Sequence, residues 1–449
     1  ELQASQALVG LRPRLQPALS SSQIRRKKAM SQHFDALETR APDVREAALM
    51  AALPAQIAHA QAHAPAFAEL LQGVDPARIN SRAALATLPV IRKYELLERQ
   101  KAARSAGGSV FGGFSTLGFG AGMPRVFASP GPIYEPEGTR RDYWRMARAM
   151  YAAGFRSGEL IHNCFSYHFT PAGSMMETGA HALGCTVFPG GIGQTEQQVQ
   201  AMAELQPAGY IGTPSFLKII IEKAAEMGVA LPSVKKALVS GEAFPPSLRD
   251  WMTAKGVDAY QCYATADVGL IAYETSARQG LVVDEGVIVE IVRPGTGDPV
   301  PEGEVGELVI TSLNPDYPLI RFGTGDLSAI MAGTCPTGRT NQRIKGWMGR
   351  ADQTTKVRGM FVHPGQVAEV VKRFPAVLKA RLVVQGEMAN DSMALHVETN
   401  TAHGAEAELK AQIAEAIRDI TKLRSEVLLV APGSLTNDGK VIEDARSYQ

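Results

Sequence analysis

Three blocks, Arg321-Phe-Gly-Thr-Gly-Asp326, Gly349-Arg-Ala-Asp352 and Lys356-Val-Arg-Gly359, follow one another in the last third of the chain, and a glycine–lysine pair ends at Lys440. The first block predicts a strand followed by a turn that carries Asp326. Glycines let a backbone approach a ligand closely, and a carboxylate can accept two hydrogen bonds from a ribose diol. Taken alone, the block favours a plain turn with a capping aspartate. The two blocks that follow it favour a functional role for Asp326.

Length and composition limit the classes of protein to consider. The chain has 449 residues, 45% of them hydrophobic and 20% charged, with a formal net charge of +1. This length favours two or more domains, and the charge gives no reason to expect nucleic acid or a membrane surface as partner. No apolar run approaches the roughly 20 residues of a membrane helix, and the first residues lack a signal-peptide pattern. Four widely spaced cysteines fit a reducing, cytoplasmic location.

The order of helical and strand-like segments predicts an α/β protein. Residues 1–97 form a mostly helical lead-in, and strands then alternate with helices from Arg125 to Tyr273, which predicts mainly parallel sheets with covering helices. Residues 286–312 predict a β-hairpin subdomain. Mixed strands and helices after residue 349 predict a small α+β domain. The expected division is therefore a large domain at 1–348 and a small one at 349–449, with ligands at the carboxyl ends of the parallel strands.

In this order and at these separations, the three blocks and Lys440 resemble the adenylate-forming superfamily. Its members join a carboxylic acid to AMP and then usually pass the acyl group to a thiol. The resemblance implies a large domain that binds the nucleotide and a small, mobile domain that carries a catalytic lysine.

The resemblance also implies roles for the residues of these blocks. Asp326 holds the ribose hydroxyls of AMP, and Arg350 contacts phosphate or ribose. Asp352 is the pivot of the small domain, which brings the segment from Lys356 to Gly359 toward the site for the second reaction. Lys440 bridges the carboxylate and the α-phosphate and opposes the charge that develops there.

Two strand ends resemble the nucleotide-binding turns of the family. Ser240-Gly241-Glu242 is similar to the adenine-binding turn. In Tyr263-Ala264-Thr265, the tyrosine is expected to stack near adenine and the threonine to contact phosphate. The glutamate that commonly binds Mg²⁺ is replaced by Ala266, and the adjacent Asp267 is the candidate substitute.

The segment Phe127-Ala-Ser-Pro-Gly-Pro-Ile-Tyr-Glu-Pro-Glu137 stands where the family has a phosphate loop rich in Ser, Thr and Gly. Its three prolines lack amide donors, and Glu135 and Glu137 repel a triphosphate unless a metal intervenes. Two interpretations follow. Either the glutamates help to bind the metal and ATP is held in an unusual way, or the use of ATP is impaired.

The segments around Phe165, Leu183 and Gly212 most resemble the phenylacetate–CoA ligase branch of the superfamily. Aromatic and small residues in them predict a pocket for an aryl or apolar acid, formed by Tyr167, Phe169, Gly212, Thr213 and Pro214. His168 is a candidate for a catalytic or pocket-wall residue, and a hydrogen-bonded core histidine is an equal alternative.

The predicted function is therefore an ATP-dependent carboxylate–CoA ligase that uses Mg²⁺, acts through an acyl-adenylate and accepts an acid such as phenylacetate. Its partners are the acid and coenzyme A, and a homodimer is one option for its assembly. One alternative is a degenerate paralogue that binds nucleotide or acyl-CoA as a sensor, which Ala266 and the proline-rich segment favour. Another is an adenylating enzyme that loads a carrier protein.

Overall fold

The structure is a computed structural model that describes residues 32–348, 351, 355–358, 360–362, 364–386, 391–400, 406–436 and 440–446. None of the helices among these residues combines the length and the hydropathy that crossing a bilayer requires. Of the residues predicted to act, Gly349, Arg350, Asp352 and Gly359 lie outside the described residues, so their roles remain predictions.

The described part of the lead-in is helical, as the sequence predicts. Short 3₁₀ turns at Ala36–Thr39 and Pro76–Arg78 accompany four helices and a two-residue strand: α1 (Pro42–His63), α2 (Pro65–Leu70), α3 (Arg82–Leu85), β1 (Ile91–Arg92) and α4 (Lys93–Ser105). Buried side chains of α1, among them Leu53 and Ile57, pack into the same hydrophobic cluster as Val289 and Ile310 of the following domain. The lead-in is thus part of the large domain's core.

The alternating region begins with a hairpin, β2 (Arg125–Ser129) and β3 (Ile133–Glu137), followed by α5 (Met146–Ala152). The elements that follow are β4 (Leu160–Asn163), α6 (Ala172–Leu183), β5 (Thr186–Pro189), α7 (Thr195–Leu205), β6 (Gly209–Gly212), α8 (Pro214–Glu226), β7 (Lys236–Val239), α9 (Pro246–Ala254), β8 (Asp258–Thr265), β9 (Gly269–Glu274) and β10 (Leu281–Val283). Strands β5, β4, β6, β7 and β8 are parallel neighbours in that order. This arrangement confirms the predicted mainly parallel sheet and places the ends of β6, β7 and β8 at one edge.

A second sheet completes the large domain. Its strands and the short ones after it are β11 (Val287–Val292), β12 (Gly306–Ser312), β13 (Phe322–Ser328), β14 (Ile330–Met331) and β15 (Arg343–Ile344). The order in this sheet is β1-β13-β12-β11, and β14 and β15 extend the first sheet next to β10. The predicted hairpin of β11 and β12 is present.

The position of Asp326 differs from the prediction. The residue lies within strand β13 and not in a turn after a strand, because Phe322 and Gly323 pair with β12 on one side and with β1 on the other. The backbone of β13 is nevertheless irregular at Gly325, which has a φ of +74°. The strand therefore carries Asp326 on a backbone fixed by neighbouring strands.

Arg321, the first residue of that motif, is a structural residue. Its side chain is fully buried, and its Nε and Nη2 donate to the two carboxylate oxygens of Glu290 at 3.1 and 3.0 Å. Nη1 and Nη2 also donate to the carbonyl oxygens of Ala86 and Gly297. A buried charge is tolerated when it is paired and hydrogen-bonded in this way. Arg321 thus ties the lead-in and β11 to the start of β13.

The small domain has its own hydrophobic cluster, formed by residues from Val357 to Ile442. Its elements are β16 (Thr355–Val357), β17 (Met360–Val362), α10 (Pro364–Arg373), β18 (Val377–Gln385), β19 (Ser392–Thr399), α11 (Glu406–Thr421), β20 (Glu426–Val430) and β21 (Ile442–Asp444). The strand order β20-β19-β18-β21 combines an antiparallel centre with parallel edges. This mixture agrees with the predicted α+β class.

Candidate active site

Asp326 lies in a set of three side chains from different parts of the chain. Tyr263 Oη at the end of β8 donates to Asp326 Oδ2 at 2.5 Å, and Trp347 Nε1 donates to Oδ1 at 3.1 Å. Asp326 itself is 8% exposed. Two predicted nucleotide contacts are therefore neighbours, and each carboxylate oxygen of Asp326 accepts a hydrogen bond from a protein donor, one a hydroxyl and the other an indole N–H. The sequence analysis missed Trp347, because no spacing rule links it to Asp326.

The turn Ser240-Gly241-Glu242 follows β7 and is held by neighbouring elements. Ser240 Oγ donates to the carbonyl oxygen of Cys262 at 2.8 Å, which joins the turn to β8. Gly241 has a φ of +84°, a conformation that glycine adopts without strain. Glu242 Oε1 accepts a hydrogen bond from the backbone N–H of Ser215 at 2.6 Å, in the first turn of α8. These contacts fix the turn at the carboxyl edge of the sheet.

Three predicted pocket residues lie where β6 passes into α8. Thr213 is the N-cap of α8, and its Oγ1 accepts a hydrogen bond from the Phe216 N–H at 3.4 Å. Pro214 is the first helical residue, a position that does not need its missing N–H. At Gly212 a Cβ atom would lie within 2.1 Å of Tyr210 Oη, so a larger residue does not fit. The three residues adjoin the glycine turn, because Thr213 Cγ2 is 3.7 Å from a Cβ atom placed on Gly241.

Thr265 ends β8, and Ala264 precedes it within the strand. Thr265 Oγ1 accepts a hydrogen bond from the backbone N–H of Val268 at 3.1 Å and so closes the tight turn into β9. Asp267 is inside this turn and is buried. The predicted phosphate contact and the predicted metal ligand therefore lie in one turn, next to Tyr263.

A β-hairpin stands in place of a phosphate loop. Strands β2 and β3 pair along their whole length, from the Arg125–Glu137 pair to the Ser129–Ile133 pair. Pro130 and Pro132 fall in the turn, and Pro136 lies in β3 opposite Val126. Glu135 reaches back across the hairpin, so that its Oε1 accepts from Ser129 Oγ at 2.5 Å and its Oε2 accepts from the Ser129 N–H at 3.2 Å. Donors that would serve a phosphate in an open loop are here bonded to the hairpin's own carboxyl group.

Glu137 has protein donors on both of its oxygens. Arg125 Nη1 donates to Oε1 at 2.7 Å, and Trp144 Nε1 and Ser174 Oγ donate to Oε2 at 3.0 and 2.9 Å. This geometry favours a structural role that joins the hairpin to α5 and α6, and the predicted metal contact of Glu137 remains untested.

Glu135, Asp267 and Lys93 form a cluster of titratable groups in which both carboxyl groups are buried and the lysine side chain is 30% exposed. Lys93 Nζ donates to Asp267 Oδ2 at 2.9 Å, while Asp267 Oδ1 is buried and has no hydrogen-bond donor among the described residues. Burial, followed by the negative charge of Asp267, raises the pKa of Glu135 to about 8, although Lys93 and the hydrogen bonds from Ser129 oppose the shift. The sequence analysis missed Lys93, which begins α4 and is 174 residues from Asp267 in the sequence.

The aromatic segment after β4 lies beside an open cleft of about 490 Å³, lined in part by Tyr167, His168, Phe188 and Ile192. Tyr167 Oη donates to Glu177 Oε2 at 2.8 Å. His168 is exposed, which disfavours a core role, and Phe169 is 81% exposed while its carbonyl oxygen accepts from the Ala128 N–H of β2. Tyr167 and His168 border the cleft, whereas Phe169 is exposed and is not among the residues that line it.

Two predicted residues of the small domain are described. Lys440 is exposed, two residues before β21. The backbone of Lys356 lies in β16, which pairs with β17. Their predicted roles stay predictions.

Comparison with known proteins gives a consistent result. Residues 139–314 match the family described as AMP-binding enzyme, and residues 359–444 match the AMP-binding enzyme C-terminal domain. The chain is 29% identical to a phenylacetate-coenzyme A ligase of Thermus thermophilus over 84% of this chain and 90% of that protein. It is 31% identical to the phenylacetate-coenzyme A ligase of Pseudomonas putida over 66% of this chain and 70% of that protein.

Solved structures show the same fold. The structure of 2-hydroxyisobutyryl-CoA ligase in complex with 2-HIB-AMP and CoA superposes with a TM-score of 0.77 over 93% of each chain, at 23% identity. The same ligase in the postadenylation state with 2-HIB-AMP gives a TM-score of 0.67 over 93% of each chain, at 24% identity. The large and small domains thus have counterparts of known structure.

Proposed function

Because the chain belongs to the phenylacetate–CoA ligase branch of the adenylate-forming AMP-binding enzymes, we propose that it activates a small aryl or apolar carboxylic acid with ATP and transfers the acyl group to coenzyme A. The single observation that carries this proposal is the Tyr263–Asp326–Trp347 set at the carboxyl edge of the sheet. Each carboxylate oxygen of Asp326 accepts a hydrogen bond from a protein donor, and we propose that the two ribose hydroxyls of adenosine replace these donors.

The other residues of the edge supply the remaining contacts. The turn from Ser240 to Glu242 borders the adenine, and Thr265 at the end of β8 contacts phosphate. Lys440 stabilises the charge that develops when the substrate carboxylate attacks the α-phosphate, and an ammonium at this point typically contributes about 10²–10³ in rate. The small domain then turns about Asp352, and the thiol of CoA displaces AMP from the acyl-adenylate.

A magnesium ion fits the turn that carries Asp267. Mg²⁺ is usually bound by one or two carboxylates together with substrate phosphates, and Asp267 Oδ1 is a buried oxygen without a donor among the described residues. No group of three or more His, Cys, Asp or Glu residues in that part of the chain could hold a metal by itself. Bound there, the ion would neutralise charge on the triphosphate.

The acyl pocket is proposed from the residues around β4 and β6. Gly212, Thr213 and Pro214 form a floor without long side chains, and Tyr167 and Phe169 supply aromatic surface. This combination favours a flat, largely apolar acid such as phenylacetate. His168 remains a proposed pocket-wall residue.

A second candidate is supported by the hairpin. Because Glu135 occupies both donors of Ser129, a protein that binds AMP or acyl-adenylate but uses ATP poorly is a distinct alternative. AMP needs neither the hairpin nor the metal, whereas ATP needs both.

The test is pyrophosphate release over a panel of carboxylic acids, with and without CoA, beside the Lys440→Ala variant. A ligase releases pyrophosphate with one class of acid and forms the matching acyl-CoA, and the variant does not. Binding of AMP without pyrophosphate release from any acid would overturn the ligase assignment in favour of the second candidate. Product formation on a carrier protein but not on CoA would assign a different acceptor.

A further inference from the structure

We propose that Arg381, together with Lys379 and Glu398, forms a clasp that positions the segment carrying Lys440 for the adenylation step. This inference rests on the proposed role of Lys440 and names the side chains that act through it. None of the three is expected to touch the substrate, so they are positioning residues.

The clasp holds the chain before Lys440 by its backbone. Glu398 Oε1 accepts a hydrogen bond from the N–H of Leu435 at 2.7 Å. Lys379 Nζ and Arg381 Nη2 donate to the carbonyl oxygen of Thr436 at 2.8 and 3.0 Å. The carboxylate of Glu398 therefore holds the backbone N–H of Leu435. The cations of Lys379 and Arg381 hold the backbone carbonyl of the next residue, Thr436.

Arg381 also holds the chain after Lys440. Its Nη1 donates to Glu443 Oε2 at 3.1 Å, and the strand that carries Glu443 pairs in parallel with β18. A single guanidinium therefore contacts residues 436 and 443, on either side of the exposed Lys440. Arginine suits this position because its planar fork presents several N–H donors in fixed directions.

The three residues of the clasp occupy neighbouring positions in the sheet of the small domain. Lys379 of β18 lies directly opposite Glu398 of β19, and Arg381 is two residues further along β18 and hence on the same face. Arg381 is 6% exposed and Glu398 is 5% exposed. The backbone N–H groups of Leu435 and Gly433 lower the pKa of Glu398, so the carboxylate is ionised at neutral pH. A nearly buried charge is costly unless it is paired or hydrogen-bonded. The partners of Glu398 and Arg381 are residues 435, 436 and 443, which lie on either side of Lys440.

The clasp matters because electrostatic catalysis depends on the position of the charged group. A preorganised charge needs no rearrangement at the moment of reaction, and a displacement of about 1 Å at a reacting group can cost about 10²-fold in rate. A lysine on a segment fastened at one end only would have to be ordered in each turnover. Because the clasp holds the chain on both sides of Lys440, most of this ordering is already in place before the reaction.

The experiment compares the two half-reactions in Arg381→Met, with the acid that gives the highest pyrophosphate release. Adenylation is followed by single-turnover pyrophosphate release, and the second step by thioester formation from the supplied acyl-adenylate and CoA. We expect adenylation to fall about 10- to 100-fold, with KM for ATP unchanged and the second step within about threefold of the parent. Arg381→Lys should recover part of the loss.

The matched control is Arg418→Met, which removes an exposed arginine of the same domain that pairs with Glu415 on α11. This variant should leave both half-reactions unchanged. If Arg381→Met does not fold, Glu398→Gln carries the same test, because it weakens the hold on Leu435 while keeping the shape of the side chain.

The outcomes separate the clasp from the proposed function. Loss of adenylation in Lys440→Ala but not in the clasp variants would overturn the clasp alone. Equal loss of both half-reactions in Arg381→Met, without loss in Arg418→Met, would assign Arg381 a general structural role and also overturn it. Unchanged adenylation in Lys440→Ala would overturn the role of Lys440 and the clasp with it.

Discussion

The buried carboxyl of Glu135 should make the stability of the large domain fall as the pH rises, and Glu135→Gln should remove the part of that dependence that this group contributes. In the folded state burial raises the pKa of Glu135 to about 8, from an ordinary value of 4.5. The native protein therefore holds a proton that the unfolded chain releases above its own pKa. Stability from this group is fully present below pH 4.5 and is lost as the pH approaches 8.

The size of the stability change follows from the difference between the pKa values of Glu135 in the folded and the unfolded protein. Each unit of pKa difference corresponds to about 1.4 kcal/mol, so a difference of about 3.5 units lowers the free energy of unfolding by several kcal/mol, on the order of 5. Glutamine has the shape of the protonated acid and can keep both contacts with Ser129. The variant and the parent should therefore have similar stability near pH 5, and at pH 8 the variant should be more stable by a few kcal/mol.

The assay is urea unfolding followed by circular dichroism at pH 5, 6.5 and 8 for both proteins. Glu98→Gln is the control, because this carboxylate lies on α4 with a side chain that is 66% exposed. Its unfolding curves should follow those of the parent at every pH. Parallel pH profiles for Glu135→Gln and the parent, or a variant that is less stable at pH 8, would refute the reasoning.

Three further substitutions test other parts of the structure. Asp326→Asn should weaken AMP binding by about 1.5–3 kcal/mol, because a charge-assisted hydrogen bond to the ribose is lost; equal affinities by calorimetry would exclude the ribose contact. Lys440→Ala should lower adenylation by about 10²–10³-fold and spare thioester formation from supplied acyl-adenylate; equal damage to both steps would contradict a division of labour between them. Arg321→Met should lower the free energy of unfolding by about 3–5 kcal/mol, since Glu290 is left buried and unpaired; a change below about 1 kcal/mol in urea unfolding would show that the pair is not structural.

The elements of the fold were predictable because their patterns are local. The alternation of strands and helices from Arg125 to Tyr273 and the hairpin within residues 286–312 were predicted from periodicity and turn residues, and both are present. Asp326 was placed wrongly in a turn, because its strand is defined by pairing with β1 and β12. That pairing is between distant segments and leaves no periodic signal in the Gly-Thr-Gly sequence.

The site was predictable only in part, for the same physical reason. Tyr263 and Asp326 were each expected to contact the nucleotide, and the structure places their side chains in contact with each other. Lys93 and Trp347 were not found, since each reaches the site through tertiary packing. The glutamates of the hairpin were expected to face a triphosphate, whereas Glu135 turns back to Ser129 and Glu137 is held by Arg125, Trp144 and Ser174.

The hydrogen bond from Trp347 to Asp326 provides the protein with a built-in optical probe. The emission of an indole depends on the charges near its ring, and this indole is 38% exposed and donates to the carboxylate that is proposed to receive the ribose. The chain has three tryptophans, and Trp144 is buried against Glu137 while Trp251 lies near the ammonium groups of two lysines. Replacing those two with phenylalanine would leave a single tryptophan, and selective excitation of its indole, with quenching by iodide, would follow nucleotide occupancy in real time without a labelled ligand.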